Sequence, residues 1–273
     1  MKNTTTNFSI VKGMLFLLVV GYLSPHKAIA QNVPSLFVVV DYMKVKPGDH
    51  AEYLDVEQNI WKPLHEERID RGILVGWLLY AVQFSGSDDR YNYVVINLYD
   101  NADYLETPWE PGIPQKVHPK LSIDEISQRT QNSRETVKSE LFYSVATAPA
   151  IPLEVPAAYM EVNYMNVKPG LESQYEQLES DIWLPIHNES INSGHTTGWG
   201  LWRALYPSGA GQEYQYLTLN TFSNFANIFG LDFSVPFNII HPDKDFNEVL
   251  DQTQKTRTTM RTELWDLIDY AIR

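Results

Sequence analysis

Cysteine is absent from the 273 residues of this chain. Its absence excludes disulfide bonds, a thiolate nucleophile and any thiolate metal site. Basic residues are scarce, since 21 Lys and Arg against 34 Asp and Glu give a formal charge of −13. Such a chain repels phosphate backbones and anionic membrane surfaces, so we expect no nucleic-acid partner and no membrane partner. A Gly-rich phosphate loop, a nucleophile elbow and a recurring pair of acids are also missing.

The first thirty residues have the order of parts that is typical of a secretory signal. A basic start without acids, MKNTTTNFSIVKG, is followed by a short apolar run, MLFLLVVGYL, and by the small residues AIA before Gln31. The apolar run is too short to span a bilayer, and no cysteine follows it to carry a lipid anchor. We therefore expect residues 1–30 to be a signal peptide and the mature chain to be exported, as a periplasmic or a secreted protein.

Most of the remaining chain is a tandem repeat. The segment VDYMKVKPG that begins at Val40 opens a match to VNYMNVKPG from Val162, with an offset of 122 residues and no gap through both GW pairs. After one inserted residue the match continues, as YNYVVINLYDN from Tyr91 against YQYLTLNTFSN from Tyr214. The Ala- and Pro-rich stretch ATAPAIPLEVPA joins the halves as a short linker. We expect one repeat over 31–150 and a second over 151–273.

Each repeat predicts the element order β-α-β-β-α-β. In the first, the β-rich run SLFVVVDYMKV stops at KPG, and apolar residues at helical spacing then predict a helix over 49–72 that ends at Gly72. The runs ILVGWLLYAVQF and YNYVVINLY, separated by SGSDD, predict a hairpin. After a long Pro-rich loop we expect a helix over 123–137 and a last strand in ELFYSV. This order is that of the split βαβ, or ferredoxin-like, unit.

The order of elements also predicts how the repeats combine. A ferredoxin-like unit covers one sheet face with its helices, and its other face must be covered by something else. We expect an α+β fold, with two tandem ferredoxin-like βαββαβ units packed sheet to sheet as a single-chain α/β barrel. In element order, repeat length and aromatic strands, the chain resembles the dimeric α/β-barrel superfamily in a fused form. It resembles most its secreted members of unassigned function.

This resemblance does not choose a function, because one fold hosts many activities. The superfamily includes cofactor-free monooxygenases, haem-degrading enzymes, chlorite dismutase-like haem proteins, lactone isomerases and stress-responsive binding proteins. Related haem barrels take an axial histidine from the second helix, and neither predicted second helix contains one. The resemblance therefore implies a chain without haem, and we expect no cofactor.

A proline interrupts the first predicted helix of each repeat. IWKPLH places Pro63 two residues before His65, and IWLPIH places Pro185 two residues before His187. A proline inside a helix removes an N–H and clashes with the preceding turn, at a cost of about 3 kcal/mol. We expect a kink that frees the carbonyl of Asn59 and turns the histidine. The histidines then either face a pocket, where a pKa near neutrality suits a general base, or bond to backbone at the helix end.

A second histidine also recurs, within an HP pair that follows the long loop. Such a loop is often a lid or a binding loop, but the pair also suits a simple entry turn into the second helix. If the loop folds back over the sheet, His65 and His118 could face one cavity. The candidate catalytic residues are therefore His65, His187, His118 and His241.

Recurring aromatic, amide and guanidinium side chains are candidates for ligand binding. The indoles could line a pocket or be ordinary core, and the strand asparagines could bind a developing oxyanion or satisfy a bulge. The arginines could orient an anionic ligand, or could pair with Glu140 and Glu263 to tie the second helix to the last strand. The candidate ligand-binding residues are Trp61, Trp183, Trp77, Trp199, Asn97, Asn220, Arg134 and Arg257.

Metal binding has little support in the sequence. His65 and Glu67 are two residues apart, so on a helix they point in different directions and form a poor chelate. The stretch DKDFNEVLD resembles the start of a calcium loop, but it lacks the central glycine and the final glutamate, and helix N-capping explains it more simply. We expect no metal site.

These observations favour an exported small-molecule-binding protein of the α/β-barrel type with two similar pockets. One alternative is a cofactor-free monooxygenase or isomerase that uses the paired histidines on a small aromatic or apolar substrate. Another is a structural or assembly protein without an active site. The expected partner is a small organic molecule, and the chain is expected to be a monomer or a homodimer. Whether it is an enzyme stays open at this point.

Overall fold

A computed structural model describes residues 36–149, 155–230 and 232–273. The predicted signal peptide and the middle of the predicted linker lie outside these residues. Both halves have the same order of strands and main helices. The first half contains β1 (Phe37–Lys44), α1 (His50–Val56), a π-helical turn (Glu57–Trp61), α2 (Lys62–Asp70), β2 (Gly76–Val82), β3 (Tyr93–Tyr99), α3 (Asp103–Glu106), α4 (Ile113–Val117), α5 (Ile123–Ser133) and β4 (Glu135–Ala148).

The second half follows the same plan, with a 3-10 helix (Phe225–Gly230) in the place of α3. Its elements are β5 (Tyr159–Val167), α6 (Glu172–Leu178), a second π-helical turn (Glu179–Trp183), α7 (Leu184–Asn192), β6 (Gly198–Tyr206), β7 (Tyr216–Phe222), the 3-10 helix, α8 (Ser234–Ile240), α9 (Phe246–Thr256) and β8 (Arg257–Ile272).

The eight strands close into one antiparallel barrel in the order β1-β3-β2-β8-β5-β7-β6-β4. Each half contributes a ferredoxin-like sheet, β4-β1-β3-β2 and β8-β5-β7-β6. The long strands β4 and β8 join the sheets, because each pairs within its own half in its first part and with the other half in its second part. This confirms the predicted α+β class and the single-chain α/β barrel. Every strand has two neighbours, so closure of the barrel requires no second copy of the chain.

Alternation along the strands separates the barrel interior from the face that the helices cover. In β1, Val38, Val40 and Tyr42 belong to the core cluster that both halves share inside the barrel. Val39, Asp41 and Met43 point the other way, toward the helices of the first half. Since successive side chains of a strand face opposite sides, a polar residue such as Asp41 can stand in an apolar strand without entering the barrel.

The predicted boundaries agree with the first helix and differ at the second. The first helix begins after Asp49, and Gly72 follows its end with φ +75°. The second helix was predicted to reach residue 137, but α5 ends at Ser133 and β4 begins at Glu135. The reason is tertiary, because Glu135 pairs with Lys44 of β1 and the sheet extends the chain there. Among the described helices, none is long and apolar enough to cross a membrane.

Candidate functional site

The first helix of each half changes its hydrogen-bond register just before the proline. The N–H of Lys62 bonds to the carbonyl of Glu57, five residues back, and Pro63 follows at the start of α2. A π-helical turn of this kind is a short insertion in an α-helix, often at a functional site. Proline lacks an N–H, and we infer that its loss costs less where the ladder changes register than inside a regular helix. The second half has the same arrangement at Glu179–Trp183 and Pro185.

The π-helical turn carries a buried glutamate. Glu57 is only 1% exposed, and its counterpart 122 residues later, Glu179, is also buried. Glu57 lies on the same helix face as the buried residues Tyr53, Ile60 and Leu64. Sequence reasoning missed both glutamates, although a charged residue that recurs within an apolar helix stripe was a signal that could have identified them.

Glu57 faces an arginine from the end of the second helix. Arg134 Nη1 lies 3.3 Å from Glu57 Oε1, and neither atom has a hydrogen-bond partner among the described residues. Burial raises the pKa of Glu57 to about 7, and the charge of Arg134 opposes part of that rise. Burial likewise raises the pKa of Glu179 to about 7, against the opposing charge of Arg257. A carboxyl group with such a pKa can be either acid or base near neutral pH.

These contacts correct the expected partners of the two arginines. Glu140 and Glu263 do not pair with Arg134 and Arg257. Glu140 pairs with Lys138 at 3.1 Å and accepts a hydrogen bond from Tyr214. Glu263 pairs with Arg261 at 2.9 Å. The reason is a β-bulge in each strand, where the register shifts opposite Tyr42 and Met43 in β4 and opposite Tyr164 and Met165 in β8. Six residues of regular strand would leave the arginine and the glutamate on one face, but the extra residue of the bulge turns them to opposite faces.

His65 is a neutral hydrogen-bond acceptor in this environment. Its ring stacks on Trp77, with centroids 5.4 Å apart, and its Nδ1 lies 2.9 Å from Nη1 of Arg68. Because an arginine only donates, Nδ1 carries the lone pair and Nε2 carries the proton. Burial holds the pKa of His65 well below its usual range, and the charges of Arg68 and Arg134 lower it further. A histidine of this kind is a weak base near neutral pH.

His187 has a similar position but fewer polar contacts. Its ring stacks on Trp199 at 4.6 Å, and burial lowers its pKa to about 3. Its Nδ1 has no hydrogen-bond partner in the part of the chain that the structure describes. Phe233 packs edge-on against the ring at 4.9 Å.

The other two recurring histidines bond to backbone. Nε2 of His118 lies 2.9 Å from the carbonyl oxygen of Ile60, and Nε2 of His241 lies 3.2 Å from that of Ile182. A carbonyl can only accept, so both nitrogens donate. The structure therefore does not bring His118 into the cavity that His65 lines, and it places both loop histidines at the π-helical turns.

A cavity of about 300 Å³ lies between the first helix and the outer face of the first sheet. Charged, amide and aromatic side chains meet in it. It is lined by Val39, Asp41, Met43, Glu57, Trp61, His65, Arg68, Val95, Asn97, Tyr99, Leu105, Pro108, Trp109 and Arg134. Cavities of this size with a few convergent polar groups are typical small-molecule sites.

Four of the candidate residues thus meet in one place, namely His65, Trp61, Asn97 and Arg134. Trp77 is fully buried beneath His65 and belongs to the packing of the site. Sequence reasoning did not identify Asp41, Arg68 or Trp109, because none of them recurs in the second repeat.

The corresponding region of the second half shares some contacts with the first and differs in others. Trp183 donates to Thr253, as Trp61 does to Thr130, and Phe233 packs edge-on against Trp183, as Trp109 does against Trp61. Asn220 donates to Glu161 at 3.3 Å. Trp199 lies under His187, and Arg257 donates to Thr259. These residues do not line the cavity of the first half.

The residues present do not fit a haem iron. Neither α5 nor α9 contains a histidine. The proton on Nε2 of His65 and the arginine on its Nδ1 leave that ring no lone pair for a metal, and Nε2 of His118 is held by a carbonyl. Within the described ranges, no group of three or more His, Asp or Glu is placed to hold a metal ion.

The chain matches no protein-family model and no curated protein. It does match solved structures. A candidate monooxygenase from Lactobacillus acidophilus NCFM is 10% identical, with 88% of this chain and 96% of that chain covered and a TM-score of 0.51. One from Fusobacterium nucleatum subsp. nucleatum is also 10% identical, with 88% and 94% covered and a TM-score of 0.51.

A candidate chlorite dismutase is 10% identical over 86% of this chain and 95% of its own, with a TM-score of 0.48. At these identities the similarity shows the fold alone. The fold that the first two share with this chain agrees with its closed eight-stranded barrel, a single-chain double ferredoxin-like α/β barrel.

Proposed function

We propose that the protein binds a small organic molecule in the cavity beneath its first helix and that Glu57 exchanges a proton with that molecule. The observation that carries this proposal is a buried carboxyl group with a pKa of about 7 that lines a 300 Å³ cavity beside an arginine. Buried acids are rare in protein interiors, and strongly shifted ones concentrate at functional sites.

The surrounding groups support proton transfer from carbon or oxygen. The aromatic walls of Trp61 and Trp109 suit a flat apolar molecule. Arg134 places a positive charge beside Glu57, and Asn97 lies on the same sheet face, so either could stabilise negative charge that develops on an oxygen of the ligand. Removal of a proton is the first step of an isomerisation and is also the activation that a cofactor-free oxygenation requires.

In this site Glu57, and not a histidine, is the proposed acid and base. The low pKa of His65 and its hydrogen bond from Arg68 make it a poor base, but its protonated Nε2 can donate a hydrogen bond. Its stacking on Trp77 fixes the orientation of the ring. His65 therefore orients the ligand in this proposal, and His118 supports the helix.

Deuterium exchange tests the proton transfer. The small aromatic ketone 2-tetralone has acidic C–H groups, and NMR in D₂O measures how fast they exchange with and without protein. Glu57 takes the C–H proton, solvent replaces it with a deuteron, and the deuteron returns to the carbon. We expect exchange above the buffer rate for the wild type, loss of that excess in Glu57→Gln, and little change in Glu179→Gln. An unchanged excess in Glu57→Gln would eliminate the proposed base.

Binding is tested separately from exchange. Saturation-transfer NMR with a mixture of aromatic acids, phenols and ketones detects ligands, and Trp61→Ala should weaken binding because it removes one wall of the cavity. Trp183→Ala is the matched control in the second half and should leave binding intact. If no compound binds, the structural or assembly alternative gains support.

A further inference from the structure

Arg68 is a buried cation without an anionic partner in the described part of the chain. It is 1% exposed, and none of the ion pairs among the described residues includes it. Its Nη1 donates to His65 and its Nη2 donates to the hydroxyl of Tyr99 at 2.8 Å, both neutral groups. Its Nε has no hydrogen-bond partner within the described chain. Buried charges are usually paired, because leaving water is costly for an ion.

The two acids of the cavity are matched to the other arginine. Glu57 lies 3.3 Å from Arg134, and the charge of Arg134 opposes the rise in pKa of both Glu57 and Asp41. Of the two cations in the cavity, Arg134 thus has an ion pair with an acid, and Arg68 has none among the described residues.

The second half shows that the fold does not need a cation at this position. Ser190 stands 122 residues after Arg68, and it is buried and hydrogen-bonded to Thr196. Phe222 stands where the first half has Tyr99. At these two positions the second half therefore has neither a guanidinium nor a phenol. A purely structural need for Arg68 would apply equally to both halves.

Trp109 covers the guanidinium. The Cζ atom of Arg68 lies 4.4 Å from the centroid of the Trp109 ring, a cation–π contact that partly offsets the missing anion. Trp109 is 38% exposed and belongs to the segment between α3 and α4, outside both helices. A loop residue in such a position can move aside or close over a ligand.

We propose that the ligand of this cavity is an anion, a largely apolar molecule with a planar ring and a carboxylate or a chemically similar oxyanion, and that Arg68 is its counter-ion. The inference rests on the proposed function and deepens it. A carboxylate matches the fork of an arginine, and a guanidinium freed from its Trp109 cover could bind both carboxylate oxygens. The aromatic walls of the cavity would hold the apolar part.

Paired probes test the charge preference directly. 1-Naphthoate and 1-naphthamide have nearly the same shape and differ in charge, and isothermal titration calorimetry measures both affinities. We expect the wild type to bind the naphthoate at least about tenfold more tightly. Arg68→Lys should keep part of this preference, and Arg68→Met should lose it. Ser190→Ala, the matched change in the second half, should leave it unchanged.

The outcomes separate this inference from the proposed function. Equal affinities in the wild type, or a preference that survives in Arg68→Met, would overturn the anion while leaving small-molecule binding intact. Binding of neither probe would count against both. Proton transfer is judged by the Glu57→Gln exchange result and does not depend on these titrations.

A double variant tests whether Arg68 is only structural. Arg68→Met/Tyr99→Phe replaces the guanidinium and the phenol of the first half with apolar groups. The second half has neither a guanidinium nor a phenol at these positions. We expect its stability to urea without ligand to equal or exceed that of the wild type, because an unpaired buried charge is removed. A large loss of stability would show that Arg68 supports the fold, and the inference would fall.

Discussion

Nε2 of His118 lies 2.9 Å from the carbonyl oxygen of Ile60, inside the π-helical turn that precedes Pro63. The second half has the same contact, at 3.2 Å, between His241 and Ile182. In each half the long loop thus supplies a side-chain donor to the point where the first helix changes register. These histidines hold the loop and the helix together.

This contact predicts a loss of stability without a loss of binding. His118→Ala removes one hydrogen bond to a partly buried carbonyl, so we expect the free energy of unfolding to fall by about 1 kcal/mol. Urea denaturation measures the change, and His241→Ala should behave alike. A His118→Ala variant of unchanged stability that no longer binds ligand would instead place the histidine in the site.

The prolines are expected to stabilise the fold slightly. Pro63 follows the π-helical turn at a place where its φ is compatible with the helix, so its missing N–H costs little. Pro63→Ala should lower the free energy of unfolding by about 0.5–1 kcal/mol, because the unfolded chain gains freedom. Urea denaturation of Pro63→Ala and Pro185→Ala measures this. A gain near 3 kcal/mol would show that the proline is a true helix defect.

The buried glutamates make stability depend on pH. The folded pKa of Glu57 is about 7, above its ordinary value of 4.5, so the folded state binds more protons than the unfolded state between those values. Stability is therefore lost as the pH rises from about 4.5 to about 7, by roughly 3 kcal/mol for a shift of this size. Glu179 should contribute a similar loss.

Glutamine variants check this sign. Glu57→Gln stays neutral at every pH, so it should be more stable than the wild type at pH 8 and nearly equal to it at pH 4.5. Urea denaturation across this range measures the difference, and the exposed Glu66→Gln on the same helix is the control. A Glu57→Gln profile that runs parallel to that of the wild type would contradict the raised pKa.

Export is a further proposal, since the signal segment lies outside the described residues. We expect a mature protein that begins at Gln31 when the full chain is expressed in a cell with a general secretory pathway. Intact mass measurement of the purified protein decides this. A product that retains residues 1–30 would show that the segment is not a cleaved signal.

Patterns within the sequence were enough to predict the barrel. Strand alternation, helical spacing and the 122-residue offset report which residues must be buried, and burial of apolar area is what drives folding. These patterns did not predict the end of the second helix, because pairing of Glu135 with Lys44 overrode the local helical pattern. Boundaries of this kind depend on a strand that lies about ninety residues away.

The sequence predicted only some of the residues of the candidate site. Recurrence identified Trp61, His65, Asn97 and Arg134, and the structure brings all four to one cavity. Recurrence also identified His118 as a candidate, but the structure places its ring against a backbone carbonyl. A side chain that recurs for packing cannot be told in a sequence from one that recurs for chemistry. Arg68 was missed because it has no counterpart in the second half.

The sequence by itself determined the repeat, the class of fold and the groups available for chemistry, because these follow from composition and periodicity. Only the tertiary structure decided which charges meet. Glu57 faces Arg134 across two helices, whereas Arg68 meets neutral partners and the face of Trp109. The pKa of a buried group depends on its solvation and on its neighbours in space. Sequence patterns report neither, because both are set by tertiary contacts.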